Sequence, residues 1–306
     1  MATRTQPFGT GKRESHDASD FYARFATPEL SDDDSLQPCP ITDRVICGDA
    51  RDMADVPDRC VALVVTSPPY YAGKEYEQAL GEGHIPASYV EFLTMLRDVF
   101  AECWRVLEPG GRLAVNVANL GRKPYRSLSG DVIRILQDDL GMLLRGEILW
   151  RKAKGATGSI AVGSYLSAAN PVLRDITERI VVASKGRFDR AVPRKERELR
   201  GLPFENTITK DEFFAATLDV WEIRPEHARR IGHPAPFPVD LPQRLIHLYT
   251  YRDDVVLDPF IGSGSTAVAA VATGRRYIGY DTDAEYVALA EERIAHAREA
   301  SDPSAD

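Results

Sequence analysis

Four cysteines, Cys39, Cys47, Cys60 and Cys103, are all that 306 residues contain. No two form a Cys-x-x-Cys pair, and no histidine stands at a zinc spacing from any of them. That sparseness excludes a disulfide scaffold and a zinc finger, and no metal site is expected. Long apolar runs are missing as well: nothing approaches the ~20 residues of a membrane span. Met1 to Ser35 lacks the apolar segment of a secretory signal. A cytoplasmic protein with reduced thiols and no membrane partner is expected. Positive charge is also short, with a net charge of −8. This argues against a uniformly basic nucleic-acid binder.

The charge is unevenly spread, however. Arg112 to Lys154 holds nine Lys/Arg against four Asp/Glu, and Arg174 to Arg200 holds nine against five. The acidic excess lies at the ends, in Asp32-Asp33-Asp34 and from Glu285 to Asp306. An acidic protein with a basic middle can still present a positive face to phosphates. A hydrophobic content of 43% is that of an ordinary globular chain. The organisation expected is a flexible arm over 1–40, a body over 41–300 and a tail over 301–306.

Within the body, Val45-Ile46-Cys47 reads as a short strand followed by Gly48-Asp49. Val61 to Thr66 is a continuous β-branched run, the pattern of a strand buried on both faces. Ser88 to Leu107 has helical apolar spacing and ends at Glu108-Pro109-Gly110-Gly111. Strands follow at 112–117, 143–150 and 179–183, with a helix near 131–140. Residues 186–240 have weak periodicity and read as loops or an insertion. A helix at 241–251, a strand at 255–257, a glycine loop, an Ala-rich helix, a strand at 277–280 and a helix at 284–300 close the body. Alternating strands and helices predict an α/β fold with a doubly wound, mostly parallel sheet.

Ser67-Pro68-Pro69-Tyr70 follows directly on the buried strand. Ligands bind at the carboxyl ends of such strands. Two prolines fix φ and remove two N–H donors, leaving a rigid row of acceptors: the Ser67 hydroxyl and the Ser67 and Pro68 carbonyls. An aromatic amine is a poor nucleophile because its lone pair is delocalised into the ring. Acceptors aimed at its two N–H bonds favour a pyramidal nitrogen and release that pair. Tyr70 offers a flat face for a base to stack on. A base inside a duplex must be flipped out to reach such a site.

Some two hundred residues later comes Asp258-Pro259-Phe260-Ile261-Gly262-Ser263-Gly264-Ser265-Thr266. Two glycines allow a tight turn and close approach to a ligand, and the next helix offers free N–H groups to an anionic group. Asp281, at the end of the following strand, suits a pair of ribose hydroxyls. The dinucleotide pattern Gly-x-Gly-x-x-Gly is not met, because Ala267 replaces the third glycine. Alanine is tolerated there; the Asp258-Pro259-Phe260 lead-in is what disfavours NAD.

Together these motifs resemble the permuted beta class of amino-group DNA methyltransferases, which place the catalytic tetrapeptide ahead of the cofactor loop. The resemblance runs from about Ile46 to Arg298. It implies a Rossmann-like S-adenosylmethionine-dependent methyltransferase fold, circularly permuted in motif order, with a target-recognition insertion. It implies S-adenosylmethionine as cofactor and duplex DNA as partner. The catalytic residues it implies are Ser67, Pro68, Pro69 and Tyr70. Its cofactor residues are Asp49, Thr66, Asp258, Phe260, Gly262, Gly264, Ser265, Thr266 and Asp281. Phe237, in His233-Pro234-Ala235-Pro236-Phe237-Pro238, joins them at a position where many members carry lysine. Members with Ser at the head of the tetrapeptide mostly methylate cytosine N4, and those with Asp or Asn mostly adenine N6. Ser67 therefore points to cytosine.

Target reading is expected from about 151–175 and 186–230, with Lys74, Arg151, Lys152 and Lys154 as DNA contacts. Other readings are an N6-adenine enzyme, an RNA or protein-amide methyltransferase, and an inactive DNA-binding module. Pro38-Cys39 and Glu205-Asn206 imitate a cytosine-C5 enzyme, but that family places its glycine loop first. A companion restriction endonuclease and a homodimer are both open as partners.

Overall fold

A computed structural model of the chain describes residues 30–69, 88–120, 125–152, 163–173, 175–225 and 237–301. Eight strands form one sheet: β1 (Arg44–Cys47), β2 (Val61–Thr66), β3 (Leu107–Val117), β4 (Leu143–Arg151), β5 (Thr177–Ser184), β6 (Val220–Glu222), β7 (Val255–Asp258) and β8 (Arg276–Asp281). Their order across the sheet is β1-β8-β7-β2-β3-β5-β4-β6. The pairs from β1 to β3 are all parallel, β5 runs antiparallel to both neighbours, and β6 pairs parallel with β4. The expected α/β, mostly parallel sheet is therefore present.

Helices cover both faces. On one lie α1 (Tyr89–Val106) and α2 (Leu128–Arg134), the latter running into a π-turn at Ile135–Asp139. On the other lie α5 (Asp240–Tyr249), α6 (Ser265–Ala272) and α7 (Ala284–Ser301). Two short helices, α3 (Arg194–Leu199) and α4 (Lys210–Ala216), precede them in the chain. All six residues of β2 are buried. Val61 and Val64 enter the core shared with α1, while Leu63 and Val65 enter the core shared with α5 and α6. A strand sandwiched in this way has no polar face, which is why its sequence does not alternate. Ser88 caps α1 through a capping box with Glu91, and Phe92, Leu96, Val99, Phe100 and Cys103 form its buried stripe.

Three expectations need correcting. β3 begins at Leu107, so Glu108 to Gly111 lies inside a strand. Its register against β2 jumps from Val61↔Leu107 to Leu63↔Arg112. Gly110, at φ +77°, absorbs the bulge, and a Cβ there would strike the Asp189 carbonyl. Residues 186–240 contribute sheet structure, since β6 extends the edge beside β4. Three residues are too short to show a period, so this strand has no sequence signal. Finally, the end of the expected arm is fastened to the body. Ser31 N donates to Gly186 O at 2.7 Å, Gln37 N donates to Arg59 O at 3.1 Å, and Asp33 pairs with Arg59.

Candidate active site

The chain leaves β7 through α6 towards β8 and leaves β2 through α1 towards β3, in opposite directions across the sheet. The crevice between the carboxyl ends of β7 and β2 is thus the topological switch point, where open α/β sheets bind ligands. The two motifs meet there. Thr66 Oγ1, at the end of β2, donates to Asp258 Oδ1 at 2.7 Å. Thr266 Oγ1, at the start of α6, donates to Asp258 Oδ2 at 2.6 Å. The Phe260 amide adds a third donor at 3.1 Å. Asp258 is fully buried, and burial pushes its carboxyl up to about 6 against the pull of those hydrogen bonds. Its oxygens are engaged by protein groups, so it pins the tetrapeptide strand to the glycine loop.

The loop itself turns through Gly262 and Gly264, at φ +48° and +84°. Gly264 is the cap of α6. Ile261 N donates to Tyr280 O, and Gly262 N donates to Asp281 Oδ2 at 3.0 Å. Asp281 Oδ1 accepts from Asp283 N at 3.0 Å. A carboxylate has about four acceptor sites, so two backbone donors leave room for a diol. Burial raises the Asp281 carboxyl above the usual range. Gly48 N donates to the Asp281 carbonyl, which brings Gly48-Asp49 beside it, with Asp49 in an ion pair with Arg51. Arg293 of α7 donates to Ser263 O at 2.6 Å and to Ser263 Oγ at 2.8 Å, bracing the loop from outside. No local pattern marks Arg293 in the sequence.

Across the crevice, Ser67 and Pro69 are part-exposed and Pro68 is buried. Asn116 Nδ2, near the end of β3, donates to Ser67 Oγ at a long 3.4 Å and to Glu178 Oε2 at 2.6 Å. Glu178 Oε1 pairs with Lys152 Nζ. Sequence reading passed over Asn116 and Glu178; a polar residue within a buried strand run was the available signal.

Other expected residues are placed less centrally. Phe260 packs partly against the α1-side core, and Ser265 is buried at the first turn of α6. Phe237 is buried in the opposite cluster with Trp221, Ile223 and Leu241. Arg151 pairs with Glu222 at 3.1 Å, at the end of β4, on the same side of the sheet as Ser67. Lys152 turns inward to Glu178, with its ammonium 5.5 Å from the Trp150 ring centre. Tyr70, Lys74, Lys154 and 233–236 lie outside the described residues. The basic stretch from Arg187 to Glu205 does not face the site. Arg190 and Arg197 are buried against Glu108 and Asp254, at the opposite ends of β3 and β7. Positive charge that is neutralised inside the protein is unavailable to phosphates. Cys39 packs near Cys60, before the start of β2, with a strand's length between it and the tetrapeptide. Among the described residues no cluster of metal ligands occurs, and no helix is long and apolar enough to cross a membrane.

The switch-point crevice thus has a glycine loop leading into the start of α6 on one wall and the Ser67-Pro68-Pro69 segment on the other. Residues 61–292 match the N6/N4 family described as DNA methylase, and the chain belongs to that family. Type II methyltransferase M.MjaI from Methanocaldococcus jannaschii is 30% identical over 281 residues, spanning 82% of this chain and 90% of that one. Type II methyltransferase M.BglI from Bacillus subtilis is 27% identical over 303 residues, spanning 81% and 84%. Among solved structures, TTHA0409 from Thermus thermophilus, described as a DNA modification methylase in complex with S-adenosyl-L-methionine, superposes with a TM-score of 0.64. It is 30% identical and covers 83% of this chain and 93% of its own. The PvuII cytosine-N4-specific DNA methyltransferase shares the fold, with a TM-score of 0.61 at 20% identity, covering 85% and 90%. The tetrapeptide-first motif order is the family's permuted one. The chain is a DNA methyltransferase.

Proposed function

We propose that this chain transfers the methyl group of S-adenosylmethionine to the exocyclic N4 amino group of a cytosine flipped out of duplex DNA. The observation that carries the reading is Ser67, a neutral hydroxyl heading a proline-rigid loop and tied through Thr66 to the cofactor loop. The crevice fits the cofactor. The α6 N-terminus suits its carboxylate, and Asp281 keeps acceptor sites for ribose hydroxyls. Phe260, Thr66, Ser265 and Asp49 complete its walls, and Asp258 with Thr266 fixes their shape. The bound cofactor supplies an electrophilic methyl on a sulfonium.

The Ser67 hydroxyl and the Pro68 carbonyl accept the two amine N–H bonds. Their fixed spacing would favour a pyramidal nitrogen held in line with the sulfonium methyl at about 3 Å. The N–C bond would replace the methyl–sulfur bond, the sulfur would leave as a neutral thioether, and the methylated nitrogen would give up one proton to solvent. Tyr70 stacks on the base. Arg151, Lys154 and Lys74 are assigned to DNA phosphates. The exposed Tyr165 and Leu166, in the turn closed by the Gly163↔Pro171 bridge, stand in the same target-facing segment.

Digesting DNA labelled from tritiated S-adenosylmethionine tests the reading. Label in N4-methyl-2′-deoxycytidine is expected. Label in N6-methyl-2′-deoxyadenosine would move the target to adenine, and label only in RNA or protein would overturn the proposed substrate. Ser67→Ala should slow turnover far more than it weakens cofactor binding. An equal fall in both would mean that Ser67 positions the cofactor.

A further inference from the structure

Beneath the tetrapeptide lies a polar chain that the reading above does not use. It runs from Ser67 to Asn116, from Asn116 to Glu178, and from Glu178 to Lys152, across four strands or strand ends. Asn116 and Glu178 are both nearly inaccessible, at 2% and 6% exposure. They sit in an otherwise apolar part of the sheet, with Val115 and Val117 on either side of Asn116 and Ile180 opposite it. Packing has no need of an amide and a carboxylate there. A buried carboxylate is costly unless paired, and the Lys152 ammonium at the end of β4 supplies that pair.

We propose that Asn116 and Glu178 are positioning residues for the Ser67 hydroxyl, with Lys152 holding Glu178 in place. The inference rests on the reading of Ser67 as an amine acceptor. An asparagine amide can present either its oxygen or its nitrogen to a neighbour. An ionised carboxylate only accepts, so Glu178 Oε2, at 2.6 Å, fixes the nitrogen on its own side. The same nitrogen then directs its second N–H at Ser67 Oγ, 3.4 Å away. A hydroxyl has two lone pairs and a rotatable hydrogen. A donor fixed on one side of it restricts the rotamer and so the directions in which the hydroxyl can accept. The acceptor row at the active site is thus set by strand residues that never touch the base. Lys152, at the root of the target-facing segment, belongs to this set.

The test uses the full-length enzyme with duplex DNA and saturating S-adenosylmethionine. It compares single-turnover methylation rates, cofactor affinity and thermal midpoint for Ser67→Ala, Glu178→Gln, Asn116→Ala and the Ser67→Ala/Asn116→Ala double variant. Glu178→Gln keeps the shape but can donate, which frees the Asn116 amide to flip. It should slow methylation about tenfold to a hundredfold, the cost of a misplaced reacting group, with cofactor affinity unchanged. Asn116→Ala should behave alike, and the double variant should be no slower than Ser67→Ala alone. Wild-type rates in Glu178→Gln and Asn116→Ala beside an impaired Ser67→Ala would overturn this inference and leave the reading of Ser67 standing. Additive losses in the double variant would overturn it too. A wild-type rate in Ser67→Ala would overturn the reading on which it rests.

Discussion

Thr66 Oγ1 and Asp258 Oδ1 lie 2.7 Å apart across 192 residues of sequence. The bond joins the strand that carries the tetrapeptide to the strand that carries the cofactor loop. Neighbouring parallel strands bring the two within reach, since Val64 pairs with Leu257. Under the proposed function, donor and acceptor of the methyl group are thereby set against one rigid reference. The consequences are testable one by one.

The Asp258 carboxyl gives a pH signature. Burial raises it to about 6, while aspartate in an unfolded chain titrates near 3.9. The folded state therefore binds this proton more tightly than the unfolded state does. The group's contribution to stability is greatest below about pH 4 and falls as pH rises through about 6. Two pH units correspond to about 3 kcal/mol. Asp258→Asn removes the titration. Urea unfolding at pH 4 and pH 7 should show the wild type losing roughly that amount relative to the variant. An unchanged difference would mean that Asp258 ionises as it does in water.

Gly264→Ala addresses the cap of α6. The residue sits at φ +84°, and a Cβ there would meet Ala290 of α7, 3.0 Å from its Cβ and 3.1 Å from its Cα. The left-handed conformation alone costs a side chain about 1–2 kcal/mol. Ala290 is backbone-tethered and small, so it cannot swing aside. The variant should melt at a lower temperature and bind S-adenosylmethionine more weakly. Calorimetry finding both unchanged would show that α7 moves freely.

Asp281→Ala deletes the acceptor of the Gly262 amide together with the proposed ribose partner. Losing hydrogen bonds to a charged group costs about 1.5–3 kcal/mol, a fall in cofactor affinity of roughly tenfold to a hundredfold. Titration calorimetry should show this fall, with turnover at saturating cofactor less affected. Undiminished affinity would remove Asp281 from the cofactor site.

Charge placement predicts two different responses to salt. Replacing Arg151 and Lys154 with alanine should lower the salt slope of DNA binding by about 0.9 for each phosphate no longer neutralised. Replacing Arg190 with methionine should leave that slope unchanged while destabilising the fold, because it leaves two buried carboxylates, Glu108 and Asp254, to share Arg197. Breaking such a buried pair costs about 3–5 kcal/mol. Denaturation with filter-binding assays across a salt series separates the two. A flatter slope in the Arg190 variant would return the 186–205 stretch to the DNA face.

By itself the sequence determined the local features. A β-branched run is buried on both faces wherever it occurs, two prolines stiffen whatever follows it, and Gly262 and Gly264 turn the chain into a helix. These follow from short-range sterics and periodicity, so α1, β2, β7 and the glycine loop were legible, and so was the tetrapeptide-first order. The tertiary structure decided which charges face outward and which polar groups work together. Arg190 and Arg197 fall in the 186–230 stretch expected to read the target, but Glu108 and Asp254, from distant segments, enclose them. Asn116 read as part of a strand and Glu178 as the residue before one, until antiparallel pairing of β3 and β5 brought them together near Ser67. An ion pair or a hydrogen-bond chain between strands depends on register and sheet order, and neither is written in the spacing of residues along any one strand.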